Sequence, residues 1–247
     1  MVRSLLVRGM LVGAVAGLLA FAFAFVFGEP QVQHAIDFEE QLARASNEPA
    51  EAELVSRGVQ RTVGLLSGTV VLGVALGGMF ALAFAWAYGR IGALSPRVTA
   101  AVLALAAYLT IVLVPFTKYP ANPPTVGNPD TIDRRTVLFL TMIAISVLAA
   151  IAAGRVRRGL LERLGAWNAA LVAVAAFVVI VAAAQLVLPA VHETPAGFPA
   201  DVLYRFRLAS LGIQLTLWTT IGLGFGAAVQ RMLVPAQPRR AVVRGTA

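Results

Sequence analysis

The chain has 247 residues, of which 59% are hydrophobic and 13% charged, and its formal net charge at pH 7 is +8. A water-soluble domain carries about 25% charged residues, so this composition excludes an ordinary soluble enzyme, and its high apolar content excludes a disordered chain. No cysteine is present, which excludes disulfides, thiolate metal sites and cysteine nucleophiles. We therefore expect an all-α protein that crosses a membrane as a bundle of helices.

Six stretches are long and apolar enough to cross a bilayer, for which about 20 residues are needed. The predicted spans are 5–27, 62–88, 98–117, 136–154, 166–190 and 208–230. Residues 1–234 form a single transmembrane domain, and 235–247 are predicted to be a disordered basic tail. The first span lacks a small-x-small cleavage site, so we expect it to be retained. The outside loop 28–61 contains a predicted helix, Pro30–Ala45, that lies over the membrane.

The charges are distributed unevenly between the two sides of the membrane. With the N-terminus in the cytoplasm, the inside segments hold twelve basic residues and one acidic residue, whereas the outside segments hold eight basic and eleven acidic residues. This is the positive-inside pattern, which predicts a multi-pass protein of the cell membrane with both termini in the cytoplasm. The excess charge is thus an orientation signal, and we expect the lipid bilayer and no nucleic acid as a partner.

The six spans form three predicted in–out–in hairpins, with short inside loops at 90–97 and 155–163. An acidic residue precedes an arginine by four positions before each returning helix, in the pairs Glu53–Arg57, Asp130–Arg134 and Asp201–Arg205. A second arginine follows at each boundary, namely Arg61, Arg135 and Arg207. Arginine is unfavourable at the positive N-terminus of a helix, and an i,i+4 acidic partner offsets the repulsion. The arginines either bind something outside the membrane or anchor the helices at the headgroups.

Glycines recur at a spacing of four on three of the spans. They are Gly9, Gly13 and Gly17 on the first span, Gly64–Gly68 and Gly73–Gly77 on the second, and Gly222–Gly226 on the sixth. This spacing places them on one helix face, where two backbones can approach closely. We expect these faces to pack within the chain, and a homo-oligomer through the glycine faces is the alternative.

Two histidines in the outside loops are candidate metal ligands. His34 and Asp37 share a face of the predicted helix, and His192 is followed by Glu193 in the third outside loop. Imidazole and carboxylate suit ions such as Co²⁺, Ni²⁺ or Zn²⁺. A shared site requires the first and third loops to meet, and otherwise the two histidines are simply solvated.

The second outside loop is rich in proline and glycine, which stiffen it without regular structure. Such a loop suits a lid or filter at the mouth of the helices, or equally a simple cap. The predicted substrate pathway follows this loop and the outer boundary arginines and acids, and comprises Lys118, Tyr119, Asn122, Asp130, Arg134, Arg135, Arg61, Asp201 and Arg205.

The sequence Lys-Tyr-Pro-Ala-Asn-Pro-Pro at 118–124, with Arg134-Arg135-Thr136, resembles the actinobacterial form of the predicted cobalt transporter subunit family CbtA. Gly28-Glu29-Pro30 and Phe198-Pro199-Ala200-Asp201 are also similar to that family. The resemblance implies a multi-pass subunit that carries cobalt for cobalamin synthesis, and a small one-span partner, CbtB, that bears histidines. Some members carry a histidine-rich run in the first outside loop. Here that loop holds only His34, so the partner would supply ligands.

Three functions are consistent with these features. The first is inward transport of a divalent cation, Co²⁺ above all, with no stably bound cofactor. The outer basic residues oppose a cation unless Asp130, Asp133, Asp201 and Glu53 neutralise them. The second is a membrane scaffold or assembly protein that transports nothing, and the third is a carrier of a small anionic solute held by the outer arginines. No nucleophile–base pair occurs, so we do not expect an enzyme.

Overall fold

The computed structural model describes residues 1–46 and 55–233, and within them it is helical throughout, without strands. Its long helices are α1 (Val2–Ala45), α2 (Arg57–Ala87), α3 (Pro96–Lys118), α4 (Ile132–Val187) and α5 (Ala200–Leu233). All five are long and apolar enough to cross a membrane. The all-α prediction is confirmed for these residues, and the predicted tail at 235–247 lies outside them.

Short π-helical turns occur within α1, α2 and α3, at Ala24–Gly28, Gln60–Gly64 and Tyr108–Leu113. Two of them come just before a proline, Pro30 in α1 and Pro115 in α3. Proline cannot donate the i→i−4 hydrogen bond and crowds the carbonyl four residues earlier. A local π-turn relieves this crowding, because it re-pairs the backbone groups without ending the helix.

A helix is predicted in the first outside loop, and residues 29–45 are helical, but this helix does not start anew. Gly28 and Glu29 keep helical dihedral angles, so residues 29–45 continue the first span directly. The resulting helix has 44 residues. At 1.5 Å per residue it is roughly 66 Å long, about twice the thickness of the hydrocarbon core. Its outer part therefore extends well past the end of the bundle.

The inside loop predicted at 155–163 is wrong, because these residues are helical and join the fourth and fifth predicted spans into α4, which has 56 residues. Arginine, leucine and glutamate, which fill most of this segment, are strong helix formers. The direction of the chain changes instead at Gly165, whose φ of 71° and ψ of 169° suit only glycine. The arms before and after it (132–164, α4a; 166–187, α4b) fold against each other, with Met142 and Ala149 packed near Val181.

The closest helix pair is α1 with α2. Gly9 and Gly13 of α1 lie directly against Gly77 and Gly73 of α2, and a Cβ on any of the four would overlap a backbone atom of the opposite helix. The expected packing of glycine faces within the chain is confirmed here. It does not extend to Gly68, beside which there is open space.

Helix α5 packs on α1 and α3, although α4b is the helix that precedes it in the chain. Gly222 and Gly226 face Ala104 and Ala100 of α3, so small side chains bring the two helices together. Phe225 is fully buried between α5 and the aromatic rings of α2. Which helices pack together is thus determined by the faces that carry small residues, and not by which helices are consecutive in the sequence.

The two ends of the bundle differ. Ser4 near the start of α1 lies beside Met232 near the end of α5, with 3.4 Å between Oγ and Sδ, so both described termini lie at one end. At the opposite end, three segments meet: 29–45 of α1, the loop 119–131 and the loop 188–199. We call these three segments the loop cap.

Candidate functional site: the loop cap

A small apolar cluster holds the three segments of the loop cap together. Ala35 of α1, Val126 of the second loop and Phe198 of the third are buried against one another. The ring of Phe38 meets Phe198 edge to face, with 5.2 Å between the ring centres. The first and third outside loops therefore do meet, which a shared site across them requires.

The second loop is bent sharply where it crosses α1. Thr125 has a φ of 75°, which is unusual for a β-branched residue, and its hydroxyl lies 3.1 Å from both the Ala35 carbonyl and a Glu39 carboxylate oxygen. Two residues later Gly127 has a φ of 130°, and a Cβ there would overlap the guanidinium group of Arg135. The bend therefore makes room for Arg135 beside the loop. Residues strained in this way are typical of functional sites.

Glu193 ties the third loop to the second. Its Oε2 accepts hydrogen bonds from the Asn128 backbone N–H and the Thr131 hydroxyl, both at 2.9 Å, and lies 3.5 Å from Nε of Arg135. The backbone donor, then the Thr131 hydroxyl and then the nearby arginines lower the pKa of Glu193 below its ordinary value of 4.5. Glu193 is thus held as a carboxylate at the centre of the cap.

We expect Glu193→Gln to remove a pH-dependent part of the stability of the protein. Because the folded-state pKa is lowered, ionised Glu193 stabilises the fold above its ordinary pKa, and this contribution disappears as the pH falls through the folded-state pKa. The thermal midpoint in detergent should be lower for Glu193→Gln at neutral pH, and the gap to the unchanged protein should narrow at an acid pH, below 4.5, as the folded-state pKa is passed.

Glu162→Gln is the matched control, since Glu162 forms no ion pair in the described part of the chain. It should leave the midpoint unchanged at both pH values. An equal gap between Glu193→Gln and the unchanged protein at both pH values would contradict the role of the Glu193 charge.

Lys118 and Tyr119 join the end of α3 to the end of α4b. Lys118 Nζ donates to the Gln185 carbonyl at 2.7 Å, and the Tyr119 hydroxyl donates to the Pro189 carbonyl at 2.8 Å. A lysine at the C-terminal carbonyls of a helix complements the helix dipole. The Gln185 side chain in turn donates to Thr117 at 2.7 Å, a bond between helices. Within the described residues, Lys118 thus lies beside the Gln185 carbonyl, and no carboxylate is within 4.0 Å of its Nζ.

The arginines at the helix ends also have partners other than those expected. Arg57 pairs with Glu29 of α1 at 2.6 Å, and both side chains are largely shielded, at 23% and 15% exposed. Arg207 donates to the Asn122 side chain at 2.9 Å and to the Ala121 carbonyl at 3.4 Å.

The expected i,i+4 ion pairs are absent from residues 1–46 and 55–233. Neither Asp130–Arg134 nor Asp201–Arg205 comes within 4.0 Å, and Glu53 lies outside the described residues. Exposed pairs of this kind contribute little stability, whereas the shielded pairs join separate segments. Glu29 as a partner of Arg57 escaped sequence reasoning, and its only signal was its position at the outer end of the first span.

A family model described as a probable cobalt transporter subunit (CbtA) matches residues 2–230. The chain belongs to the CbtA family. No curated protein and no solved structure matched the chain. The resemblance carried by 118–124 and the arginine pair is therefore confirmed over nearly the whole length.

For a CbtA family member, the fate of the predicted metal ligands matters. His34 and His192 are exposed, the Asp37 carboxylate accepts a hydrogen bond from Gln33 at 2.9 Å, and Glu193 is held as described above. Within residues 1–46 and 55–233, no three His, Cys, Asp or Glu side chains are grouped to hold a metal ion. The metal site remains a prediction, and its residues lie in the two segments that the apolar cluster joins.

The predicted pathway residues fall into two groups in this CbtA member. Lys118, Tyr119, Asn122 and Arg135 are half-buried and bonded within the loop cap. The other five are exposed around it, namely Arg61, Asp130, Arg134, Asp201 and Arg205. The first group holds the cap together, whereas the side chains of the second group are exposed.

Proposed function

We propose that the chain is the membrane-embedded subunit of a cobalt uptake transporter, with Co²⁺ as cargo, no stably bound cofactor and no enzymatic activity. The family match over residues 2–230 carries this proposal, because the CbtA family is described as a probable cobalt transporter subunit. The apolar helices support it, since 47 large hydrophobic side chains of the described residues would otherwise be exposed to water. The cobalt would supply cobalamin synthesis.

We further propose six crossings of the cell membrane with both termini in the cytoplasm. The reversal at Gly165 turns α4 into two antiparallel arms, each long enough to cross once. Six crossings return the chain to its starting side, in agreement with the contact between Ser4 and Met232 at one end. The arginines at that end give the orientation, because positive loops remain inside.

The loop cap would form the entrance to the transport pathway. Its basic groups are offset within the cap: Lys118 by the Gln185 carbonyl, Arg57 by Glu29 and Arg135 by Glu193. The outer part of α1 adds exposed carboxylates at Asp37, Glu39 and Glu40. A surface with excess negative charge raises the local concentration of cations. Three of the outer basic residues thus have oxygen partners, whereas Arg61, Arg134 and Arg205 stay exposed.

The family description as a subunit supports a complex with a second protein. We propose a small one-span partner that bears histidines, because the described chain offers only two exposed histidines and no grouped ligands. Imidazoles from the partner would complete the coordination of Co²⁺ that this chain cannot supply alone.

Uptake of radioactive cobalt tests the proposal directly. Cells that express the chain with its small partner should accumulate more cobalt than cells with either protein alone or neither. Asp37→Asn with Glu40→Gln should slow the initial uptake by about 3- to 10-fold at low ionic strength, since both changes weaken the outer negative field. The matched change Glu162→Gln, at the opposite end of the bundle, should have no effect.

Cobalt accumulation equal to that of empty cells, with both proteins present and inserted, would overturn the proposal. A stable complex of the two proteins that moves no solute would instead support the scaffold alternative. Uptake of a small anion that is lost on replacement of Arg61, Arg134 and Arg205 would support the anion carrier.

A further inference from the structure

A basic cleft lies at the end of the bundle opposite the loop cap. It has a volume of about 360 Å³ and lies between the end of α2 and the middle of α4. Its lining residues are Trp86, Arg90, Ile91, Ile151, Arg155 and Arg158. Neither the predicted pathway nor the loop cap includes any of these side chains.

Three guanidinium groups meet in the basic cleft without an acidic partner. Within the described residues, no carboxylate lies within 4.0 Å of Arg90, Arg155 or Arg158. Arg90 donates to the Trp86 carbonyl at 2.6 Å, and Arg158 makes only long bonds, at 3.4 Å, to the Arg90 and Gly154 carbonyls. Each guanidinium carries five donors, so most donors in the cleft are free. Like charges gathered in this way favour a bound anion.

The anion best suited to three arginines is a phosphate group. Guanidinium groups bind phosphate through paired, parallel hydrogen bonds, and they hold it in partly apolar surroundings more readily than lysine does. Ile151, Arg155 and Arg158 lie at i, i+4 and i+7 and so share one face of α4a. Trp86 lies in the last turn of α2, and Arg90 follows in the turn after the end of that helix. One face of α4a and the turn after α2 thus present their charges to the same space.

The apolar part of the basic cleft indicates that the phosphate belongs to a lipid. Trp86 is 63% exposed and Ile151 is 40% exposed. One turn further along the same two faces, towards the middle of the helices, Leu82 and Leu148 are also exposed. A tryptophan beside basic residues at the end of a membrane helix is typical of the headgroup level. Acyl chains could therefore follow the two leucine faces while the headgroup lies among the arginines.

We infer that the basic cleft binds the headgroup phosphate of one anionic phospholipid, which fills the gap between α2 and α4a. The site lies in the cytoplasmic leaflet if the proposed orientation holds, and that leaflet is rich in anionic lipid. The bound lipid would join the α4 hairpin to the body formed by α1, α2, α3 and α5. The lipid site does not depend on cobalt transport, so a failure of one proposal would leave the other unaffected.

Native mass spectrometry of the full chain in detergent, with added phosphatidylglycerol or phosphatidylcholine, tests the inference. One phosphatidylglycerol should remain bound at lipid concentrations about 10- to 100-fold below those needed for phosphatidylcholine. The combined variant Arg90→Gln, Arg155→Gln, Arg158→Gln should lose this preference. The matched variant Arg3→Gln, Arg157→Gln, Arg163→Gln removes the same charge from the same end of the bundle outside the cleft, and it should keep the preference.

Arg155→Gln alone provides a second test, because the Arg155 side chain makes no hydrogen bond within residues 1–46 and 55–233, and its loss should not disturb folding. It should weaken phosphatidylglycerol binding about 5-fold, near the contribution of one arginine at a membrane surface. Equal loss in the cleft variant and the matched variant would overturn the inference. Displacement of the lipid by inorganic phosphate at millimolar concentration would also overturn it, since the site would then bind free anions.

Discussion

Gly13→Ala is expected to destabilise the protein strongly, although it adds a single methyl group. The new Cβ would overlap the Gly73 carbonyl and crowd Gly77 on α2. Both are backbone atoms, so no side chain can rotate away and the two helices must separate. Overpacking of this kind costs about 1–3 kcal/mol, and more where several contacts along one helix face are lost together. The thermal midpoint in detergent and the yield of monodisperse protein should both fall.

Gly68→Ala is the matched control for Gly13→Ala. Gly68 lies on α2, within the same helix pair, and no atom lies within 4 Å of the place that a Cβ would take, so the methyl group meets open space. Alanine is preferred to glycine inside a helix by up to about 1 kcal/mol, so this change should leave the midpoint unchanged or raise it. Equal midpoints for the two variants would contradict the close packing of α1 on α2.

Gly165→Ala is expected to have the second large effect, for a different reason. No atom lies within 4 Å of a Cβ at this position, so the cost does not come from crowding by neighbours. It comes from the backbone, because φ 71° with ψ 169° is essentially restricted to glycine and costs other residues about 1–3 kcal/mol. Alanine would favour a continuous helix through the reversal. The contact of Met142 and Ala149 with Val181 would then weaken.

The thermal midpoint of Gly165→Ala should be compared with that of Gly159→Ala, six residues earlier in the same helix. Gly159 has ordinary helical dihedral angles and open space around it, so alanine should be neutral or stabilising there. A destabilisation that is the same at both positions would contradict the special role of Gly165.

The reversal at Gly165 determines on which side of the membrane the following loop lies. Because the chain has no cysteine, single introduced cysteines can report that side. Ala196→Cys in the loop cap should react with a membrane-impermeant maleimide added to intact cells, whereas Ala93→Cys, between α2 and α3, should not. Adding Gly165→Ala should reduce the labelling at 196. Protection at 196 in the otherwise unchanged protein would contradict a complete reversal at Gly165.

The sequence by itself determined the class of the protein, most of its helices and its family. These depend on local quantities: the length of an apolar stretch, the charges beside it and a short motif such as that at 118–124. The glycine faces of α1 and α2 could also be predicted from the sequence, because residues spaced by four lie on one face of a helix. The local pattern gave a wrong prediction at 155–163. Charged residues there are compatible with an inside loop and with a helix, and the sequence alone does not choose between the two.

Only the tertiary structure decided which partners the functional side chains have. Arg57 pairs with Glu29 across 28 positions, and Lys118 bonds the Gln185 carbonyl across 67. The nearby acids that the sequence offered, Asp130 and Asp201, are exposed and unpaired within the described chain. Water solvates exposed charges well, so a partner four residues away is worth little to them. A shielded arginine needs whichever oxygen the packing of distant helices brings beside it, and no local pattern encodes that packing.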